Sequence, residues 1–130
     1  MKDHKLYMLF LPEKIYSIEF IKQNGVLEGT LGISEVVREV TEIITSVPNI
    51  SNSSHPFTAV QEDEQITITF VGYQSNYLNW TDWMEGTIWS GHISSKNLIL
   101  TDKDEFQYEF TSGELEEFHT RLNELYDLIG

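Results

Sequence analysis

A chain of 130 residues with 40% hydrophobic and 12% aromatic content has the length of one ordinary domain and enough apolar side chain to fill one core. It contains no cysteine, which excludes a disulfide framework, a thiol nucleophile and a thiolate metal site. The net charge is -13, from 8 basic and 21 acidic residues, and without a cluster of Lys or Arg direct binding to nucleic acid or to an anionic membrane is not expected.

Lys5 to Leu11 reads as a buried strand. Its apolar run, Leu6 to Leu11, ends at Pro12 and is too short for a signal-peptide core or a membrane span, so a soluble, cytoplasmic protein is expected. From Ile15 to Lys22 the residues alternate, with Tyr16, Ile18 and Phe20 on the face that points inward. Asn24-Gly25 predicts a tight hairpin turn, because both residues tolerate positive φ, and Val26 to Thr30 returns antiparallel.

Gly32-Ile33-Ser34 then predicts a break. Ser34 can cap a helix over about 34–47, whose Val36, Val37, Val40, Ile43, Ile44 and Val47 make an apolar face, and Pro48 stops it. So many β-branched residues give little intrinsic helix propensity, so packing would have to hold it. Asn49 to His55 is small and polar and reads as an exposed loop. Phe57 to Val60, the acidic turn Glu62-Asp63-Glu64 and Ile66 to Tyr73 predict a second hairpin. Gln74 to Gly86 has no strand period and holds Tyr77, Trp80, Trp83 and Met84, after which Thr87 to Ile93 resumes one.

The last third carries the clearest local signals. Leu98 and Leu100 face the same way as Phe106, Tyr108 and Phe110 if Thr101 pairs with Glu105, which leaves Asp102, Lys103 and Asp104 as a three-residue loop. Thr111 and Glu114 have the spacing of a capping box, and Phe110 is placed to staple onto Leu115. A closing helix over about 112–129 follows, with Leu115, Phe118, Leu122, Leu125 and Ile129 in one apolar stripe and Glu117 placed to pair with Arg121. The expected fold is a single α+β domain spanning residues 1–130, a mostly antiparallel sheet of six to eight strands with two helices.

No Gly-x-Ser-x-Gly, P-loop or dinucleotide fingerprint occurs, and His4, His55, His92 and His119 have no zinc-ligand spacing, so no cofactor, metal or catalytic residue is expected. Asp82 with Glu85, and Asp102 with Asp104 and Glu105, lack the spacing of a glycosidase pair or a calcium loop. Charge is the broader feature. Residues 1 to 61 hold seven acids and five bases, whereas residues 62 to 130 hold fourteen acids and three bases. Glu105 and Glu109, with Glu116, Glu117, Glu124 and Asp127 on the outer side of the last helix, would offer an acidic surface to a basic protein partner. Tyr77, Trp80, Asp82 and Trp83 mix aromatic and polar groups as binding hot spots do, although Tyr77, Trp80 and Trp83 also stand at helical steps that would bury them.

In small size, acidity, lack of cysteine and of a signal, and an α+β layout, and in stretches such as Glu105 to Asp127, the chain resembles the immunity proteins that bacteria make against polymorphic or contact-dependent toxins. The resemblance implies a cognate toxin, such as a basic nuclease, whose active site is covered one to one, and no enzymatic activity. A small ligand-binding or enzymatic domain with its pocket near Tyr77 to Trp83 is the main alternative. A phage-type DNA mimic or a structural subunit ranks lower, since a mimic would spread its acids over both halves.

Overall fold

The computed structural model describes residues 3–23, 26–39, 47–71 and 86–129. In chain order these form β1 (Asp3–Leu11), β2 (Lys14–Gln23), β3 (Val26–Glu39), β4 (Val47–Glu62), β5 (Gln65–Phe70), β6 (Ile88–Ile93), β7 (Asn97–Thr101), β8 (Gln107–Ser112) and α1 (Leu115–Asp127). Each strand pairs antiparallel with the next, and β8 returns to β1, where Tyr7 lies opposite Ser112 and Met8 opposite Thr111. The result is a closed, eight-stranded up-and-down barrel. Closure removes the exposed strand edges that an open sheet of this size would present.

The two-residue period decides what lies inside. Tyr16, Ile18 and Phe20 on β2, Leu27 and Leu31 on β3, and Ile66, Ile68 and Phe70 on β5 are all buried in one continuous core. Rings join across strands, Phe57 to Phe70 at 5.9 Å and Phe70 to Trp89 at 5.2 Å between centroids, both edge to face. Burying each such side chain stabilises the fold by about 1.5–3 kcal/mol. Two glycines make room for this filling. A Cβ on Gly29 would come within 2.6 Å of the Phe20 Cβ and 2.7 Å of the Phe57 Cζ, and one on Gly91 would collide with the Ile99 carbonyl.

A second, smaller core lies outside the barrel. There the stripe of α1 covers the outer faces of β1 to β4, burying Leu125 with Ile15 and Ile50 and packing Phe118, Leu122 and Ile129 beside Phe10 and Val36. The Arg121 guanidinium lies 5.0 Å over the Phe10 ring. Four of the five stripe residues therefore pack as their periodicity predicts. Leu115 does not; it is 58% exposed.

The α+β expectation is corrected: the molecule is a β-barrel with one helix. The predicted helix over 34–47 is absent, because β3 runs on to Glu39 and β4 has begun by Val47. Residues 40–46 lie outside the described residues. In the strand Val36 packs outward beneath α1, and Ser34 Oγ donates a 2.6 Å hydrogen bond to Asn52 Oδ1 on β4 instead of capping anything. Strand pairing supplies the partners that a helix of β-branched residues would lack, and their side chains fit a pleated surface better. The exposed loop expected from Asn49 to His55 is likewise part of β4.

The closing helix also starts later than 112. Thr111 and Ser112 are used by the barrel seam, so Glu114 becomes the N-cap, with no side-chain hydrogen bond, and Phe110 turns into the barrel instead of stapling onto Leu115. The β7–β8 register differs by two residues from the expected one, Thr101 pairing with Gln107. Facing is preserved for Tyr108 and Phe110, but the connection lengthens to residues 102–106, and Phe106, expected on the same buried face, lies in it at 59% exposure. Asp102 explains it: Oδ1 accepts hydrogen bonds from the amides of Asp104 at 2.9 Å and Phe106 at 3.0 Å, which holds the wider loop with Glu105 at φ 65°. The hairpins expected at Asn24-Gly25 and at Glu62-Asp63-Glu64 are present, with Gln23 opposite Val26 and Glu62 opposite Gln65.

Candidate functional site: the mouth of the barrel

Strand register sorts the inward side chains of β2, β3 and β4 into levels. At the rim, Lys14 pairs with Glu35 and Glu35 with Ser51; one step down come Tyr16, Ile33 and Ser53; then Ile18, Leu31 and His55; then Phe20, Gly29 and Phe57. Polarity falls with depth on β2 and β3. On β4 it persists for three levels, through Ser51, Ser53 and His55.

These upper levels enclose a cavity of about 460 Å³. Its lining includes Lys14, Tyr16, Ile33, Glu35, Ser51 and Ser53 from the β2–β4 side and, from the rest of the ring, Trp89 on β6 with Thr87 just before it, Tyr108 on β8 and Asp102 in the β7–β8 connection. Since β4 and β8 stand halfway round the ring from each other, the β4 hydroxyls face an aromatic wall. Trp89 and Tyr108 stack there at 4.5 Å and 11°, and Tyr16 meets Tyr108 edge-on at 5.6 Å.

Two charged groups of the mouth, Lys14 and Glu35, are engaged with one another. Lys14 Nζ lies 3.5 Å from Glu35 Oε2 and 4.8 Å over the Tyr16 ring. Burial acts to lower the Lys14 pKa, but the interactions with Tyr16 and Glu35 outweigh it and leave it above the usual lysine value. Tyr108 donates its hydroxyl to Asp102 Oδ2 at 3.2 Å. Burial, and after it the Asp102 carboxylate, push its pKa up to about 12.

His55 is the one buried polar side chain among the described residues, at 2% exposure. Its Nε2 stands 3.1 Å from Ser53 Oγ, so the histidine braces the cavity-lining hydroxyl from below. In either tautomer Ser53 keeps hydrogen-bonding capacity, its hydroxyl proton and one lone pair if the ring nitrogen donates to it and two lone pairs if the ring nitrogen accepts.

The residues predicted as a partner surface fall elsewhere. Glu105 is in the β7–β8 loop, Glu109 is on the outside of β8, and Glu116, Glu117, Glu124 and Asp127 are on α1; all six are exposed, and none of them lines the cavity. Arg121 pairs with Glu124, at 3.6 Å, rather than with Glu117. Tyr77, Trp80, Asp82 and Trp83 lie outside the described residues. Ser51, Ser53, Trp89 and Tyr108 were not singled out by motif reasoning. The signal that reaches two of the lining positions, and the histidine beneath them, is parity: Ser51, Ser53 and His55 share the two-residue phase of Phe57 and Ala59.

Among the described residues no group of three or more His, Asp or Glu is placed to hold a metal ion, and no helix is long and apolar enough to cross a membrane. No protein-family model matches the chain, and neither a curated protein nor a solved structure is found to be similar to it.

Proposed function

We propose that the barrel binds a small organic molecule in its mouth, as a carrier or sensor working in the cytoplasm. The observation that carries this reading is the 460 Å³ cavity, part aromatic and part hydroxyl-lined, at the mouth of the barrel. That volume lies within the roughly 300–1,000 Å³ of small-molecule sites, and an eight-stranded barrel is just wide enough to hold side chains or one small ligand. The test is a thermal-shift screen of a small-molecule library on the full chain and on Ser53→Trp, with Ser51→Phe nearer the rim as a second filled variant. Compounds that raise the Tm of the parent but not of a variant that keeps its β-sheet circular dichroism are expected. A library that stabilises neither protein, or both equally, contradicts the proposal.

A second reading rests on the exterior. Of the exposed acids on α1 only Glu124 has an ion-pair partner among the described residues, and this favours capture of a basic protein, with a toxin neutralised by an immunity protein as the instance the sequence points to. Charge on an exposed face changes encounter and salt dependence more than stability. Triple reversal of Glu116, Glu124 and Asp127 to Lys should abolish salt-sensitive retention of basic proteins on the immobilised chain and leave Tm within a few degrees. Retention unaltered by the reversal removes this reading.

A further inference from the structure

Resting on the cavity reading above, we infer that the ligand class is a flat, uncharged aromatic compound with a hydrogen-bonding edge. Two walls specify it. On one side Trp89, Tyr108 and Tyr16 supply apolar ring surface. Facing them, β4 supplies neutral hydroxyls, with Ser53 held by the buried His55. Among the described residues no hydrogen bond engages the side chains of Ser51 or Thr87, so these hydroxyls stay open to an occupant, while the sheet holds their backbones in place.

The charges at the rim exclude the other classes. An anionic ligand would want Lys14, but Lys14 is held by Glu35 and by the Tyr16 ring. A carboxylate would also have to come close to Glu35, Asp102 and Asp104 in a molecule of net charge -13. A cationic ligand would want Asp102, but its two oxygens already accept from Tyr108 and from two backbone amides. It would also have to come close to Lys14 and Lys103 in the same wall. An ion taken at Lys14 or Asp102 breaks a pairing already made, and one taken at Lys103 or Asp104 meets a like charge on the neighbouring residue, whereas a neutral edge meets hydroxyls that are free to turn toward it.

Four probes of one ring system isolate these terms: 2-naphthol, naphthalene, 2-naphthoate and 2-naphthyltrimethylammonium, each titrated into the full chain by calorimetry at physiological salt. The expected order has 2-naphthol tightest, naphthalene about fivefold weaker for want of the hydrogen bond, and both ions at least tenfold weaker than 2-naphthol. Ser53→Ala should bring 2-naphthol down to the affinity of naphthalene and leave naphthalene unchanged, which a merely structural serine would not do. If either ion binds as tightly as 2-naphthol, the ligand class is wrong and the binding cavity stands. If none of the four binds, this inference is overturned; the cavity reading falls only if the library screen is blank too.

Discussion

The two ends of the barrel interior are built from the same eight strands and differ in what those strands point inward. Toward the β2–β3 and β4–β5 turns, Phe20, Leu27, Phe57 and Ile66 fill the space around the bare backbone of Gly29. Toward the β1–β2 and β7–β8 connections the same inward phase brings Lys14, Glu35, Ser51, Ser53 and Thr87, and a cavity remains. One end is built for packing. The other gives up apolar burial at each of these positions, about 1.5–3 kcal/mol where a large apolar side chain would have fitted, and keeps hydrogen-bonding groups instead. This contrast teaches that stability and recognition occupy different levels of one barrel, so mutations at the two ends should separate them.

The largest effect is expected at the filled end. Phe57→Ala removes a fully buried ring and should destabilise the chain by about 4 kcal/mol, read from urea unfolding, without altering which probes the remaining folded protein binds. Gly91→Ala drives a methyl group into the Ile99 carbonyl and should cost about 3 kcal/mol in the same assay. If both variants unfold like the parent, the interior is not packed as described and the contrast disappears.

At the boundary between the ends, Tyr108 links stability to pH. Its folded pKa, raised from 10.0 to about 12, means that the fold favours the protonated phenol. The stability it confers is complete below pH 10 and is lost as pH rises through about 12. Alkaline unfolding of the parent should therefore steepen across that window, and Tyr108→Phe should flatten it, with near-ultraviolet absorbance losing one late-titrating tyrosine. The smallest effect belongs to the open end, where Ser51→Ala should leave stability within about 0.5 kcal/mol and change only ligand binding. A large stability loss there would make the serines structural and erase the distinction between the ends.

The same contrast explains what could be read from the residues alone. Alternation in Tyr16, Ile18, Phe20 and in Ile66, Ile68, Phe70 is apolar against polar, and those strands were legible together with their hairpin turns. Ser51, Ser53 and His55 alternate with polar neighbours as well. A period sought in hydrophobicity is invisible there, and the inner wall of the cavity passes for a loop. Val36 and Val37 mislead in the opposite way: the outer face of β3 is covered by α1, so the strand is apolar on both sides and imitates one face of a helix. The acidic turn at Glu62-Asp63-Glu64 and four of the five stripe residues of α1 follow local rules and were found. The capping box at Thr111 obeyed a local rule too, but barrel closure claimed that residue for the seam with β1.

Heteronuclear NMR of the full chain titrated with 2-naphthol tests the central claim most directly, because it locates the occupant. The account predicts contacts from the ligand to Tyr16, Ser53, Trp89 and Tyr108, with the resonances of Phe20 and Phe57 unmoved. Contacts confined to the outer surface of α1 or to the filled end, or no contacts at saturating ligand, would contradict it.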